Sequence, residues 1–208
     1  MQDQSVGGWL DDLASKSSTP GGGAAAAMNA AVGAALISMV CNLTIGRPKY
    51  AEFEAALVAS LSKAENLRGK ALLLAADDAA AFGRVIAAYQ LPKASDEEKQ
   101  ARTMAIQEAL VKAADVPLRT AELAAEVIGL ARTILPGANV NVVSDVAVAA
   151  SSARAALDAA VVNVEVNLAG LKDEAHRTAV QRRLEAASAS AAAEADTIVA
   201  EVREKIAK

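Results

Sequence analysis

A chain of 208 residues with a net charge of −4 is sized for one domain, or one tight pair of helical subdomains. Its acidic balance argues against general nucleic-acid binding, which needs a basic surface. One histidine (His176) and one cysteine (Cys41) exclude a His/Cys zinc site, an internal disulfide and any Ser-His-Asp triad built without His176.

The hydrophobic pattern is helical throughout, without the sustained period-two alternation of strands; Val140 to Val148 is the most strand-like stretch and is short. Helix one runs from about Ser5 to Lys16, with Trp9, Leu10 and Leu13 on one face. After STPGGG, helix two opens at the glycines and runs to about Thr44, where Gly46-Arg47-Pro48 breaks it. Helix three covers about Tyr50 to Tyr89 and ends at Leu91-Pro92-Lys93. Ser95 and Glu98 form a capping box for helix four, which extends to about Ala114. Pro117 is read as the start of helix five, which ends before Pro136-Gly137. A loop leads to Ser144, read as the N-cap of helix six, which runs to about Gly170. Asp173 caps helix seven, which continues to the C-terminus.

The expectation is therefore an all-α fold: an antiparallel bundle of about seven helices forming a single domain over residues 1–208. The core is alanine-rich and aromatics make up only 2% of the chain. Such a core buries little apolar area per residue, so a second subunit is expected and the working form is read as a homodimer. Ala24 to Cys41 carries no charge over 18 residues, long enough to raise a membrane span. Its alanine and glycine content favours a buried helix at the bundle centre, and no membrane partner is expected. The first residues hold no basic segment followed by an apolar one, so a cytoplasmic location is expected.

Asp78 is the strongest single signal. Leu57, Ala64, Ala71 and Val85 share its heptad position, and Leu67, Leu74, Ala81 and Ala88 supply the companion position of the same apolar seam. Asp77 instead shares a position with Lys63, Lys70 and Arg84, a charged outer face. Neighbouring helical residues point about 100° apart, so the two aspartates see different surroundings. A carboxylate facing a core is costly unless paired, hydrogen-bonded or protonated, and such groups are kept for specificity or chemistry.

The other candidates each carry an ordinary reading beside the functional one. Gly21-Gly22-Gly23 opens a helix, where free backbone N–H groups bind anions; a flexible turn would look the same. Arg47, Lys49 and Tyr50 form a basic loop suited to carboxylates, or an ordinary solvated connection, and Lys93 shares that ambiguity. Asn139, Asn141, Ser144 and Asp145 cluster before helix six. Asn163 and Asn167 lie i,i+4 on one face of it, lining a polar pocket or pairing with backbone or a second subunit. His176 reads as a surface residue and Cys41 as packing. No carboxylate set suggests a metal, and none is expected.

In order and spacing, TPGGG, GAALISMVCNLTIG, DDAAAF, LPK, EEK, Arg102, VPL, SDVAVAA and NVEVNL resemble the cyclodeaminase/cyclohydrolase family of folate enzymes. The likeness runs from about Trp9 to Asp173. That family includes the C-terminal domain of formiminotransferase-cyclodeaminase and stand-alone bacterial methenyltetrahydrofolate cyclohydrolases of one-carbon assimilation through the serine cycle. The resemblance implies an all-helical dimer with folate sites at or near the subunit interface. It implies that the aspartate four residues before the phenylalanine, here Asp78 before Phe82, is the proton donor and acceptor. It adds Gly21, Gly22, Gly23, Gly46, Arg47, Asn139, Ser144, Asp145, Asn163 and Asn167 as motif positions. Two positions depart: Ala138 stands where the family has glycine before the loop asparagine, and Pro48 where it often has a basic residue.

The activity so implied is hydrolysis of 5,10-methenyltetrahydrofolate to 10-formyltetrahydrofolate, with no bound cofactor. The alternative is cyclisation of a formimino-tetrahydrofolate with loss of ammonia. Arg47 and Lys49, and more weakly Lys93, would face the anionic glutamate tail of the folate. A non-catalytic helical interaction module is the reading from a different class. It leaves the glycine loop and the paired asparagines unexplained.

Overall fold

The computed structural model describes residues 4–207, and among them every regular element is helical. The α-helices are α1 (Val6–Leu13), α2 (Gly22–Asn42), α3 (Glu54–Tyr89), α4 (Asp96–Ile134), α5 (Val143–Ala169), α6 (Glu174–Ser188) and α7 (Ala191–Ile206). Short 3-10 turns at Pro48–Phe53 and Leu135–Gly137 precede α3 and follow α4.

The uncharged helix α2 packs against α3 and α5, and less extensively against α4. Ala24, Ala27, Ala30, Ala34, Ile37 and Val40 on it are fully buried. It is long and apolar enough to cross a membrane, but its inward surface is covered by the bundle. Small residues bring the backbones together: a Cβ added at Gly33 would lie 3.0 Å from the Ala149 carbonyl oxygen and 3.2 Å from Val127. Close approach compensates in dispersion for the small side chains. Cys41 is fully buried, as expected for a packing residue, and burial pushes its thiol up to about 11.

The local signals hold where they are strong. Ser95 accepts the Glu98 N–H, and Glu98 accepts the Ser95 N–H in return, so the capping box is complete. Asp173 accepts the His176 N–H at 2.9 Å and starts α6.

Four boundaries differ from expectation. Pro117 does not start a helix: α4 runs through it as one element of 39 residues. A proline inside a helix has no N–H for the carbonyl four residues back and pushes that carbonyl aside. That carbonyl is Ala113, and it accepts the Asn167 side-chain amide of α5 at 3.2 Å instead. The expected last helix is two, divided at Ala189 and Ser190. The N-cap of α5 is Val142, with no side-chain hydrogen bond, and Ser144 lies exposed within the first turn. Finally, Tyr50 lies in the 3-10 turn ahead of α3, its hydroxyl accepting the Val140 N–H.

Candidate active site

Where the N-terminus of α2 meets α3 and α5, a cavity of about 180 Å³ opens. Its polar side is made by Gly21, Gly22, Gly23, Asp78, Asn163 and Asn167, together with Ser18 and Thr19. Its apolar side is made by Ala81, Phe82, Ala113 and Val166.

Asp78 is half-buried rather than sealed in the core. The α3 seam that carries it is closed by Ala71, Leu74, Ala75 and Ala81, so its carboxyl is aimed across the seam at the start of α2. Gly23 makes the room: any side chain there would collide with the Asp78 carboxyl. α2 has no side-chain N-cap of its own, so this carboxyl occupies the position where a helix end attracts an anion. Two effects compete. Burial pushes the Asp78 carboxyl above its ordinary value, and the Ala24 backbone N–H pulls the other way; burial is the larger. Asp77, one residue away, is exposed and lies 3.9 Å from Arg119.

The asparagine pair faces Asp78 from α5. A Cβ at Gly22 would sit 3.5 Å from the Asn163 side-chain nitrogen, so the glycine loop and Asn163 are in near contact. Asn163 donates to the Ala159 carbonyl at 2.8 Å. Asn167 donates to the Asn163 carbonyl at 2.8 Å and to the Ala113 carbonyl at 3.2 Å.

Six of the sequence candidates therefore converge: Gly21, Gly22, Gly23, Asp78, Asn163 and Asn167. The others do not reach this cavity within one protomer. Arg47, Lys49, Asn139, Ser144 and Asp145 gather at the other end of α2, which at 21 residues is about 30 Å long. Asn139 is 2% exposed and clamps that end, its side chain donating to the Leu43 carbonyl and its backbone N–H to Thr44 Oγ1. Its own oxygen accepts the Asn141 N–H, so its polar atoms are engaged in structure. Arg47 and Lys49 are exposed, Lys49 lying over the Tyr50 ring. Lys93 is exposed in the loop beyond α3. No cluster of metal-ligating side chains is found among the described residues.

Phe82 and Val166 were not site candidates. Both are exposed, at 42% and 69%. The available signal was helical spacing: Phe82 is one turn beyond Asp78, and Val166 lies between Asn163 and Asn167.

The cavity thus sets a carboxyl whose proton affinity burial raises between a helix N-terminus and two side-chain amides, under an apolar rim. Residues 5–186 match the formiminotransferase-cyclodeaminase family, and the chain belongs to it. It is 50% identical over 198 residues to a methenyltetrahydrofolate cyclohydrolase of Methylorubrum extorquens, covering 95% of both chains. It is 31% identical to the rat formimidoyltransferase-cyclodeaminase over 88% of this chain and 34% of that longer protein. The crystal structure of a formiminotetrahydrofolate cyclodeaminase from Thermotoga maritima superposes with a TM-score of 0.88 at 28% identity, covering 100% of this chain and 99% of that one.

Proposed function

We propose that this protein hydrolyses 5,10-methenyltetrahydrofolate to 10-formyltetrahydrofolate, with Asp78 moving the proton. The observation that carries the reading is the Asp78 carboxyl, held by burial above its ordinary value at the mouth of a cavity sized for part of such a ligand. The substrate carries a one-carbon bridge between N5 and N10 as a delocalised cation. Water adds to that carbon and Asp78 takes the proton. The C–N5 bond then breaks, Asp78 returns a proton to N5, and the hydroxyl proton leaves as the formyl C=O forms on N10. One proton is released overall, and the carboxylate also lies beside the cation it stabilises. The chemistry calls for no bound cofactor. Phe82 and Val166 supply an apolar wall for the flat ring system.

The 50% identity to the cyclohydrolase over nearly both whole chains favours this reaction. The second reading is the cyclodeaminase reaction, favoured by the likeness to the Thermotoga structure, with Asp78 in the same role. The working form we propose is a cytoplasmic homodimer. On the outward side of α2, Val32 and Met39 are exposed, and the helix carries no charge.

The test is the absorbance decay of 5,10-methenyltetrahydrofolate, with ammonia release from 5-formiminotetrahydrofolate measured in parallel. Wild type is expected to accelerate the decay, and Asp78→Asn to lose about 10²–10⁴-fold of that rate. Near-wild-type turnover by the variant would refute the assignment, and ammonia release alone would select the second reading.

A further inference from the structure

We propose that Pro117 is a positioning residue for this site: by leaving the Ala113 carbonyl without its helical partner, it fixes the Asn167 amide so that Oδ1 accepts an N–H of the bound ligand. The inference rests on the folate reading for the ligand, whose heterocycle carries N–H donors, but not for the coupling itself.

In an uninterrupted helix the N–H of residue 117 would bond the carbonyl of residue 113. Proline has none, and its ring displaces that carbonyl outward. Ala113 lines the cavity, and its carbonyl takes the Asn167 side-chain nitrogen at 3.2 Å in place of the missing N–H. The same nitrogen donates to the Asn163 carbonyl at 2.8 Å. Both amide hydrogens are then committed, which removes the freedom of the amide to exchange its nitrogen and oxygen. Among the described residues Asn167 Oδ1 has no hydrogen-bond partner, so it is the group of this side chain left for a ligand. A proline in the middle of a 39-residue helix thereby selects an acceptor, rather than a donor, opposite Asp78.

Pro117→Ala restores the missing N–H and lets it compete for Ala113. Alanine is also the better helix residue, so the thermal midpoint is expected to hold or rise. KM is expected to rise about three- to tenfold, as for loss of one neutral hydrogen bond, with kcat within about twofold. A purely structural proline would instead tie activity to stability. In an Asn167→Ala background, Pro117→Ala is expected to change KM no further. The Asn167 side-chain amide, assigned in nitrogen-15 spectra by its absence from Asn167→Ala, is expected to exchange slowly in wild type and faster in Pro117→Ala. Asn167→Asp, which keeps the shape but not the donors, is expected to raise KM at least as much.

An unchanged KM in Pro117→Ala or Asn167→Asp overturns the proposal, as does an equal effect of Pro117→Ala with and without Asn167. If wild type turns over neither folate, the functional reading has failed. The amide exchange then still decides the coupling: faster exchange in Pro117→Ala upholds it and unchanged exchange overturns it.

Discussion

At Asp78, burial outweighs the favourable helix N-terminus and the Ala24 N–H, so its charged form is disfavoured. The folded-state pKa is raised, so the folded protein holds the proton more tightly than the unfolded chain does. Stability therefore declines as pH rises from the ordinary carboxylate value through the raised one. Asp78→Asn keeps the shape and an acceptor for the Ala24 N–H. It is expected to melt above wild type at neutral pH, and the gain should vanish below about pH 4, where both aspartate states are protonated. Melting curves across that range check it; a variant less stable at pH 7 would contradict burial as the dominant cause. Gly23 gives the complementary prediction. Gly23→Ala suits the helix but collides with the Asp78 carboxyl, so turnover should fall at least tenfold while the protein stays folded, read by circular dichroism beside the assay. The choice of Asp78 over Asp77 was legible from helical phase alone, because one residue turns a side chain by about 100°. The need for Gly23 was not, because the side chain that fills its missing Cβ lies 55 positions away.

Among the elements, the caps at Ser95 and Asp173 were readable, whereas Ser144 is not the cap of α5 and the course of the chain at Pro117 and at Ala189 was misread. Ser95 and Glu98 satisfy each other locally, so four residues contain the whole argument. Ser95→Ala should cost about 1 kcal/mol and lower the melting midpoint by about 2–4 °C, measurable by calorimetry without loss of activity. Pro117 carries the same local signal as a helix start, and the structure overrides it with a partner from α5 that no window around the proline contains. The division between α6 and α7 was missed for the opposite reason. Ala189 and Ser190 are neither proline nor glycine, so no residue there marks the turn after which α7 packs against α5 and α4.

At the scale of the whole molecule, α2 decides which residues can share a substrate. It carries the Asp78 cavity at its N-terminus and Arg47 and Lys49 just past its C-terminus, about 30 Å apart. The family resemblance joined these residues as candidates for one ligand, because a shared motif reports membership and not distance. Their charges point to how they could still meet. Asp78 marks one end, and at the other Arg47 and Lys49 form no ion pair among the described residues. Val32, exposed at the midpoint of α2, lies on an uncharged outward side. A two-fold axis there would exchange the ends, setting the partner's Arg47 toward the Asp78 cavity, where an anionic glutamate tail would emerge. Mixing two impaired variants, assayed at low substrate, tests this arrangement. Asp78→Asn and Arg47→Ala dimers should each be impaired at low substrate, the second through KM. Co-expressed, they should form mixed dimers with one intact site, restoring about a quarter of wild-type sites when subunits pair at random. If Arg47 served the cavity of its own chain, every site in the mixture would keep one defect and no activity would return. Sedimentation of Val32→Arg supplies the physical counterpart, because a charge at the axis meets its own copy and should leave monomers with the weak binding of Arg47→Ala.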